Sequence, residues 1–243
     1  MSYNLVIDQG NSTAKVAIFD GDKLVEHRRY ETLCADDIDN IKSRYDITAA
    51  IYCSVVSRGE EIIVALRGVA KHVYELTSLL PLPVKLCYET PSTLGRDRIA
   101  AVAGAYAVHP GQTVLVVDAG TAVTYDVLTP DGAFLGGNIA PGLWMRAEAL
   151  HSMTGRLPLV EVETKGDVAL WGVNTDDAIR TGVVRGVIAE IKYYASQLPD
   201  DAIVMLTGGD AERLAQFLDE RVEVDSLLVN KGLNSILLYN EQL

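Results

Sequence analysis

"LVIDQGNSTAK", Leu5 to Lys15, sets an apolar strand-forming run against an acid, a glycine, three small polar residues and a lysine. Leu5-Val6-Ile7 predicts a short buried strand that ends at Asp8. The polar residues beyond that strand suit two structures. One is the polar corner of a hairpin. The other is a turn that holds phosphate: Gly10 lets the backbone turn tightly and approach a ligand. Backbone N–H groups with the Ser12 and Thr13 hydroxyls then donate to phosphate oxygens, and Lys15 adds positive charge. Asp8 alone would repel a phosphate. It fits the second structure if Mg²⁺ lies between them, directly or through water, because Mg²⁺ takes carboxylate, phosphate and water oxygens.

The rest of the chain repeats the pattern. "LVIDQGNSTAKVAIFDGDKLV" (5–25) and "LVVDAGTAVTYDVLTPDGAFL" (115–135) share strand, Asp-x-Gly, small hydroxyl residues, strand, Asp-Gly turn and strand, in that order. So many features in one order predict a duplication, with Asp8 and Asp118 at equivalent strand ends. Pro110-Gly111 interrupts the chain between the copies. The expected organisation is two α/β domains, 1–111 and 112–243, with ligands in the cleft between them, a favoured place for binding.

Elsewhere, the spacing of Ile38, Ile41 and Tyr45 predicts a helix, 49–56 a buried strand, and "RGEEIIVALRGVAKH" an amphipathic helix. Asp20-Gly21 reads as a two-residue hairpin loop. "IAAVAGAYAVH", 99–109, predicts a small-residue helix packed closely on another element. Pro141 suits the first turn of a helix. A long helix comes next, capped by Thr175 or Asp176, with Ile179, Val183, Val187, Ile191 and Tyr194 on one apolar face. "GLNSILLYN" closes the chain as a helix.

Three further stretches could carry chemistry. In Gly95-Arg96-Asp97-Arg98, Asp97 suits a helix start; it equally suits a base that takes a proton from a substrate hydroxyl, with Arg98 holding a polar or anionic group. In Asp118-Ala119-Gly120-Thr121, Asp118 either ligates a cation or caps a turn, and Thr121 is a donor. In Thr207-Gly208-Gly209-Asp210, the paired glycines form either a short turn or a close approach to a flat ring. The chain lacks G-x-x-x-x-G-K-[ST], G-x-G-x-x-G and G-x-S-x-G, which removes P-loop, Rossmann and nucleophile-elbow chemistries.

Composition narrows the class. The 243 residues are 49% hydrophobic and carry a net charge of −12. That charge argues against nucleic acid and anionic membrane as partners. Cys34, Cys53 and Cys87 are widely spaced and odd in number, which predicts reduced thiols in the cytoplasm. His27, His72, His109 and His151 show no metal-binding spacing. "MSYNLVID" passes straight into a strand without a leader pattern, and no apolar stretch reaches the ~20 residues of a membrane span.

Taken together, "DQGNSTAK", "GRDR", "DAGTAVTYD", "GGNIAPG" and "LTGGDA" resemble the type III pantothenate kinases, over nearly the whole chain. These are similar to the acetate/sugar kinase, heat-shock chaperone and actin superfamily, built from two ribonuclease-H-like domains with the active site in the interdomain cleft. Ser12 stands where the family often has Thr, which keeps the hydroxyl. The resemblance implies ATP-dependent phosphorylation of pantothenate to 4′-phosphopantothenate, toward coenzyme A. It implies that Asp8, Gln9, Gly10, Asn11, Ser12, Thr13, Ala14 and Lys15 form the phosphate loop, with Asp8 on Mg²⁺. Thr121, Gly208 and Gly209 would complete the ATP site, and Asp118 would bind a monovalent cation, K⁺ or NH₄⁺. Asp97 would be the base. Tyr88, Gly95, Arg96, Arg98 and Thr181 would contact pantothenate, although Tyr88 serves equally as a core aromatic. A homodimer is implied, with the small-residue helix and the long helix available to it. Two rivals are a phosphohydrolase of the same superfamily and a non-catalytic regulatory relative of the Bvg accessory factor kind.

Overall fold

The computed structural model describes residues 2–10, 13–54, 60–77, 79–162, 168–219 and 221–243. Leu5, Val6 and Ile7 are wholly buried. They lie in β1 (Tyr3–Gln9), the central strand of a five-stranded sheet, and a strand covered on both faces needs an unbroken apolar run. β1 pairs antiparallel with β2 (Ala14–Asp20), and β2 with β3 (Lys23–Tyr30). α1 (Ala35–Lys42) precedes β4 (Ile47–Ser54), which lies parallel to β1. α2 (Glu60–Val69) precedes β5 (His72–Glu75), parallel to β4, so the order is β3-β2-β1-β4-β5. Ile38 and Ile41 of α1 and Ile62 and Leu66 of α2 join Leu5 and Ile7 in one core. The first hairpin loop is Gly21-Asp22, not Asp20-Gly21: Asp20 pairs with Lys23, and Gly21 takes φ +61° at the first central position, where a II′ turn needs glycine. β6 (Lys85–Leu86) and α3 (Arg96–Val108) complete this part of the chain.

The second sheet repeats the first. β7 (Val114–Ala119) pairs antiparallel with β8 (Ala122–Leu128), which neighbours β9 (Ala133–Pro141). α4 (Leu143–Ser152) and α5 (Thr175–Ser196) lead to β10 (Ile203–Thr207), parallel to β7. α6 (Ala211–Ala215) leads to β11 (Val222–Val224), parallel to β10. Five of the six strands of the second sheet, in the order β9-β8-β7-β10-β11, match the first sheet strand for strand, as duplicated ribonuclease-H-like domains require, and β6 pairs with the start of β9 as the sixth. Asp8 sits opposite Lys15 and Cys53, and Asp118 opposite Thr124 and Thr207. Ile179, Val183, Val187 and Ile191 of α5 bury against this sheet. Two local expectations change here. Pro141 ends β9, and Gly142 caps α4. The cap of α5 is Asn174, whose Oδ1 accepts from the Asp177 N–H at 2.9 Å; Thr175 and Asp176 are already helical.

The chain divides into two units. One holds residues 1–110, 132–134 and 227–243; the other holds 111–131 and 135–226. The C-terminal helix α7 (Leu228–Glu241) therefore belongs to the first unit, not with residues 112–226. Its partner is α3, and the reason is steric. A Cβ on Gly232 would lie 1.7 Å from the Ala100 carbonyl oxygen, and one on Gly104 would lie 2.3 Å from that of Leu228. The backbones can meet this closely only without those side chains. α3 thus finds its close neighbour within the chain, with Ile99 to Ala105 buried.

Candidate active site

In the first unit the turn after β1 closes through a Gly10 N–H donating to the Thr13 carbonyl at 3.0 Å. Asn11 and Ser12 lie outside the described residues. Ala14 is buried and Lys15 is half-buried on β2, opposite Asp8. Gln9 is fixed through its Oε1, which accepts from the Tyr52 hydroxyl at 2.6 Å. Beneath them the Cys53 thiol is held well above its ordinary pKa, first by burial and then by the negative charges of Asp8 and Asp97, against an opposing effect of Arg96. Asp8 and Asp97, far apart in sequence, thus act on the same sulfur.

Asp97 enters through the start of α3. Gly95 is the cap residue, and a Cβ there would lie 2.5 Å from Asp97 Oδ1, so glycine is what permits this carboxylate position. Oδ1 accepts from the Arg98 N–H at 2.9 Å. Arg96 reaches Glu75 at 3.2 Å. Arg98 is only 4% exposed. Its guanidinium carbon lies 5.7 Å from the ring centroids of both Tyr88 and Phe134, which stack 6.1 Å apart at 3°. Tyr88 therefore serves as a packing surface for an arginine that the sequence marks as substrate-facing. Phe134 has no local signal. It arrives because the Cys87 N–H donates to its carbonyl at 2.9 Å where β6 pairs with the start of β9.

In the second unit Gly120 closes a tight turn, its N–H donating to the Ala122 carbonyl at 3.0 Å. Gly208 has φ +93°, and a Cβ there would lie 2.5 Å from Asp118 Oδ1 and from the Ala119 oxygen. The Asp210 N–H donates to the same Ala119 oxygen at 3.0 Å. The Gly-Gly turn and the Asp118 loop are therefore one assembly. Gly209 is exposed, with open space where its Cβ would be. Burial raises the pKa of Asp210, against a partial offset from Arg213. Thr207 Oγ1, at the end of β10, is buried without a hydrogen-bond partner among the described residues, a polar atom left over beside this assembly. Thr181 is buried in the second turn of α5.

The other side of this loop is not evident from the sequence. The Gly142 N–H donates to the Thr121 carbonyl at 3.0 Å, and a Cβ on Gly142 would lie 2.2 Å from the Gly120 oxygen. "GGNIAPG" is the signal that could have pointed to it. Among the described residues, no group of three His, Cys, Asp or Glu side chains forms a ready-made metal site. Asp8 alone suits a divalent ion that takes its remaining ligands from phosphate and water.

The family described as type III pantothenate kinase matches residues 4–197. The chain belongs to that family. It is 44% identical to the type III pantothenate kinase of Phocaeicola vulgatus, over 99% of this chain and 100% of the relative. It is 38% identical to that of Porphyromonas gingivalis strain W83, over 99% and 100%. Among solved structures, a protein of the Baf family of transcriptional activators from Campylobacter jejuni matches at 26% identity and TM-score 0.67, over 98% of this chain and 100% of that one. The ROK hexokinase of Thermus thermophilus matches at 14% identity and TM-score 0.55, over 99% and 100%, a likeness of fold. This pantothenate kinase is thus a phosphotransferase of the actin-like fold, and it uses ATP with a divalent metal. None of its helices, among the described residues, is long and apolar enough to cross a membrane.

Proposed function

We propose that Asp97 is the general base with which this enzyme phosphorylates the 4′-hydroxyl of pantothenate, the first step of coenzyme A biosynthesis. Phosphoryl transfer asks for positioning and charge neutralisation more than for covalent chemistry. A carboxylate within hydrogen-bond reach of the hydroxyl takes its proton as the oxygen attacks the γ-phosphorus. The observation that carries this assignment is the Asp97 carboxylate fixed by the Arg98 N–H at 2.9 Å at the start of α3, a helix that packs on β4, the strand whose Cys53 lies opposite Asp8. Asp8 would hold Mg²⁺, which draws charge from the phosphates when bound. Gly10 and Thr13 would offer donors to them, and Lys15 a positive charge. Gly95, Arg96, Arg98, Tyr88 and Thr181 would orient pantothenate. Thr121 and the Gly208-Gly209 turn would meet the nucleotide, and Asp118 would hold K⁺ or NH₄⁺. The three free cysteines suit a reducing cytoplasm. The exposed Trp144, Met145, Trp171 and Val173 of the second unit suit a homodimer contact.

ADP release from Mg-ATP, with and without pantothenate and in K⁺ then Na⁺ buffer, tests this reading. The expected result is ADP that depends on pantothenate and rises with K⁺. Release indifferent to pantothenate would point to a hydrolase. Silence from folded protein would point to a regulatory relative such as the Baf-family structure.

A further inference from the structure

We propose that Arg146 is the positioning residue of the nucleotide loop at Gly120-Thr121, and that Glu190 and Tyr125 hold it in place. The inference rests on the reading that this loop meets ATP. The loop is roofed by Gly142, whose N–H donates to the Thr121 carbonyl at 3.0 Å. Gly142 lies so close that a Cβ on it would fall 2.2 Å from the Gly120 oxygen and 2.5 Å from that of Thr121. Wherever Pro141-Gly142 moves, Gly120-Thr121 must move with it.

Arg146 grips that roof twice. Its backbone N–H donates to the Gly142 carbonyl at 3.0 Å, the first bond of α4. Its Nε reaches back to donate to the Pro141 carbonyl at 2.7 Å. The other end of the guanidinium is tied down: Nη2 donates to Glu190 Oε2 on α5 at 2.6 Å. The same oxygen accepts from the Tyr125 hydroxyl of β8 at 2.7 Å. Gly186, one turn before Glu190, makes room for the guanidinium, since a Cβ there would stand 3.2 Å from Arg146 Nη1. A charge-assisted, partly buried bond with a forked donor sets direction as well as distance. β8, α4 and α5 therefore converge on one carboxylate oxygen and pass its position to the loop. A displacement of a bound group by about an ångström can cost up to ~10²-fold in rate, so an anchor of this kind affects turnover without touching substrate.

The test is steady-state kinetics on Arg146→Met, which keeps the aliphatic packing, beside Thr121→Ala and the double variant, with melting curves for each. Arg146→Met is expected to raise KM for ATP about tenfold, leave KM for pantothenate within about twofold, and melt within a few degrees of the parent. In the double variant the two increases should fall short of their product, because both act through one loop. Glu190→Gln, which keeps an acceptor, should restore most of what Glu190→Ala loses. If Thr121→Ala leaves KM for ATP unchanged, the nucleotide-loop reading fails, and the proposal with it. If Thr121→Ala raises it and Arg146→Met does not, or if Arg146→Met raises both KM values together with a large fall in melting temperature, the anchor is structural and the proposal is overturned.

Discussion

Asp97 carries the most consequential prediction at the scale of single residues. Its carboxylate is half-buried and fixed by one backbone N–H from Arg98 at 2.9 Å. Asn keeps that acceptor and removes the proton-accepting oxygen. Asp97→Asn should lower kcat by roughly 10²- to 10⁴-fold while leaving the melting curve in place. Unchanged kcat would remove Asp97 as base. Arg98 is the second case. A lysine has the charge but neither the plane nor the fork, and Arg98 is wedged against two stacked rings. Arg98→Lys should therefore raise KM for pantothenate by about tenfold, the scale of one charge-assisted hydrogen bond lost to the substrate. A wild-type KM would mean that the guanidinium faces the protein only. Asp8 and Asp118 stand out in the sequence because each ends an apolar run, and Asp97 because it opens a helix between two arginines. Phe134, Arg146 and Glu190 were not legible, because their partners are distant in the chain and no spacing announces them.

Elements were legible where periodicity was strong and less so where a single atom decides. The face of α5 from Ile179 to Ile191 packs as its spacing predicts. Its cap went to Asn174 because a side-chain acceptor there reaches the free N–H of Asp177. The α3–α7 crossing was half-visible, since the small residues of α3 announced a close neighbour without naming it. Gly232→Ala tests that crossing. A methyl 1.7 Å from a carbonyl oxygen cannot be housed without separating the helices, which should cost about 3 kcal/mol and lower Tm by roughly 6–12 °C. A shift under about 2 °C would show that the crossing is loose. The contact between β3 and the turn that follows α1 offers a test by pH. Glu26 accepts from Arg44 at 2.8 Å and from the Tyr45 hydroxyl at 2.6 Å. Bonding to Arg44 first, then to Tyr45, lowers its pKa from 4.5 to about 2. The folded value is the lower one, so the stabilisation is present above pH 4.5 and is lost as pH falls toward 2. Glu26→Gln should be less stable than the parent at pH 7, with the gap closing between those values. A gap that persists unchanged at pH 2 would assign it to packing.

Across the whole molecule, the internal repeat was the feature most fully written in the chain. Two sheets of one strand order arise from two copies of one pattern, because a buried central strand, an antiparallel neighbour on one side and a parallel one on the other are each set by local runs and connection type. The return of α7 to the first unit was not written in any run. It depends on two glycines, Gly104 and Gly232, separated by much of the chain. That return has a thermodynamic consequence. Each unit has its own core, Leu5, Ile7 and Tyr52 among others in the first, and Val117, Tyr125 and Val187 in the second. α7 packs on β1, β2 and β4 of the first. Loosening α7 should therefore lower the opening free energy of the first unit selectively, since protection from exchange tracks local cooperative units. In Gly232→Ala, amide exchange in β1, β2 and β4 should accelerate by about 10²-fold, the factor that about 3 kcal/mol implies, while β7, β8 and β10 keep parental protection. Acceleration spread evenly over both sheets would mean that the two cores open together, and that the helix contributed by the C-terminus stabilises the chain as a single cooperative body.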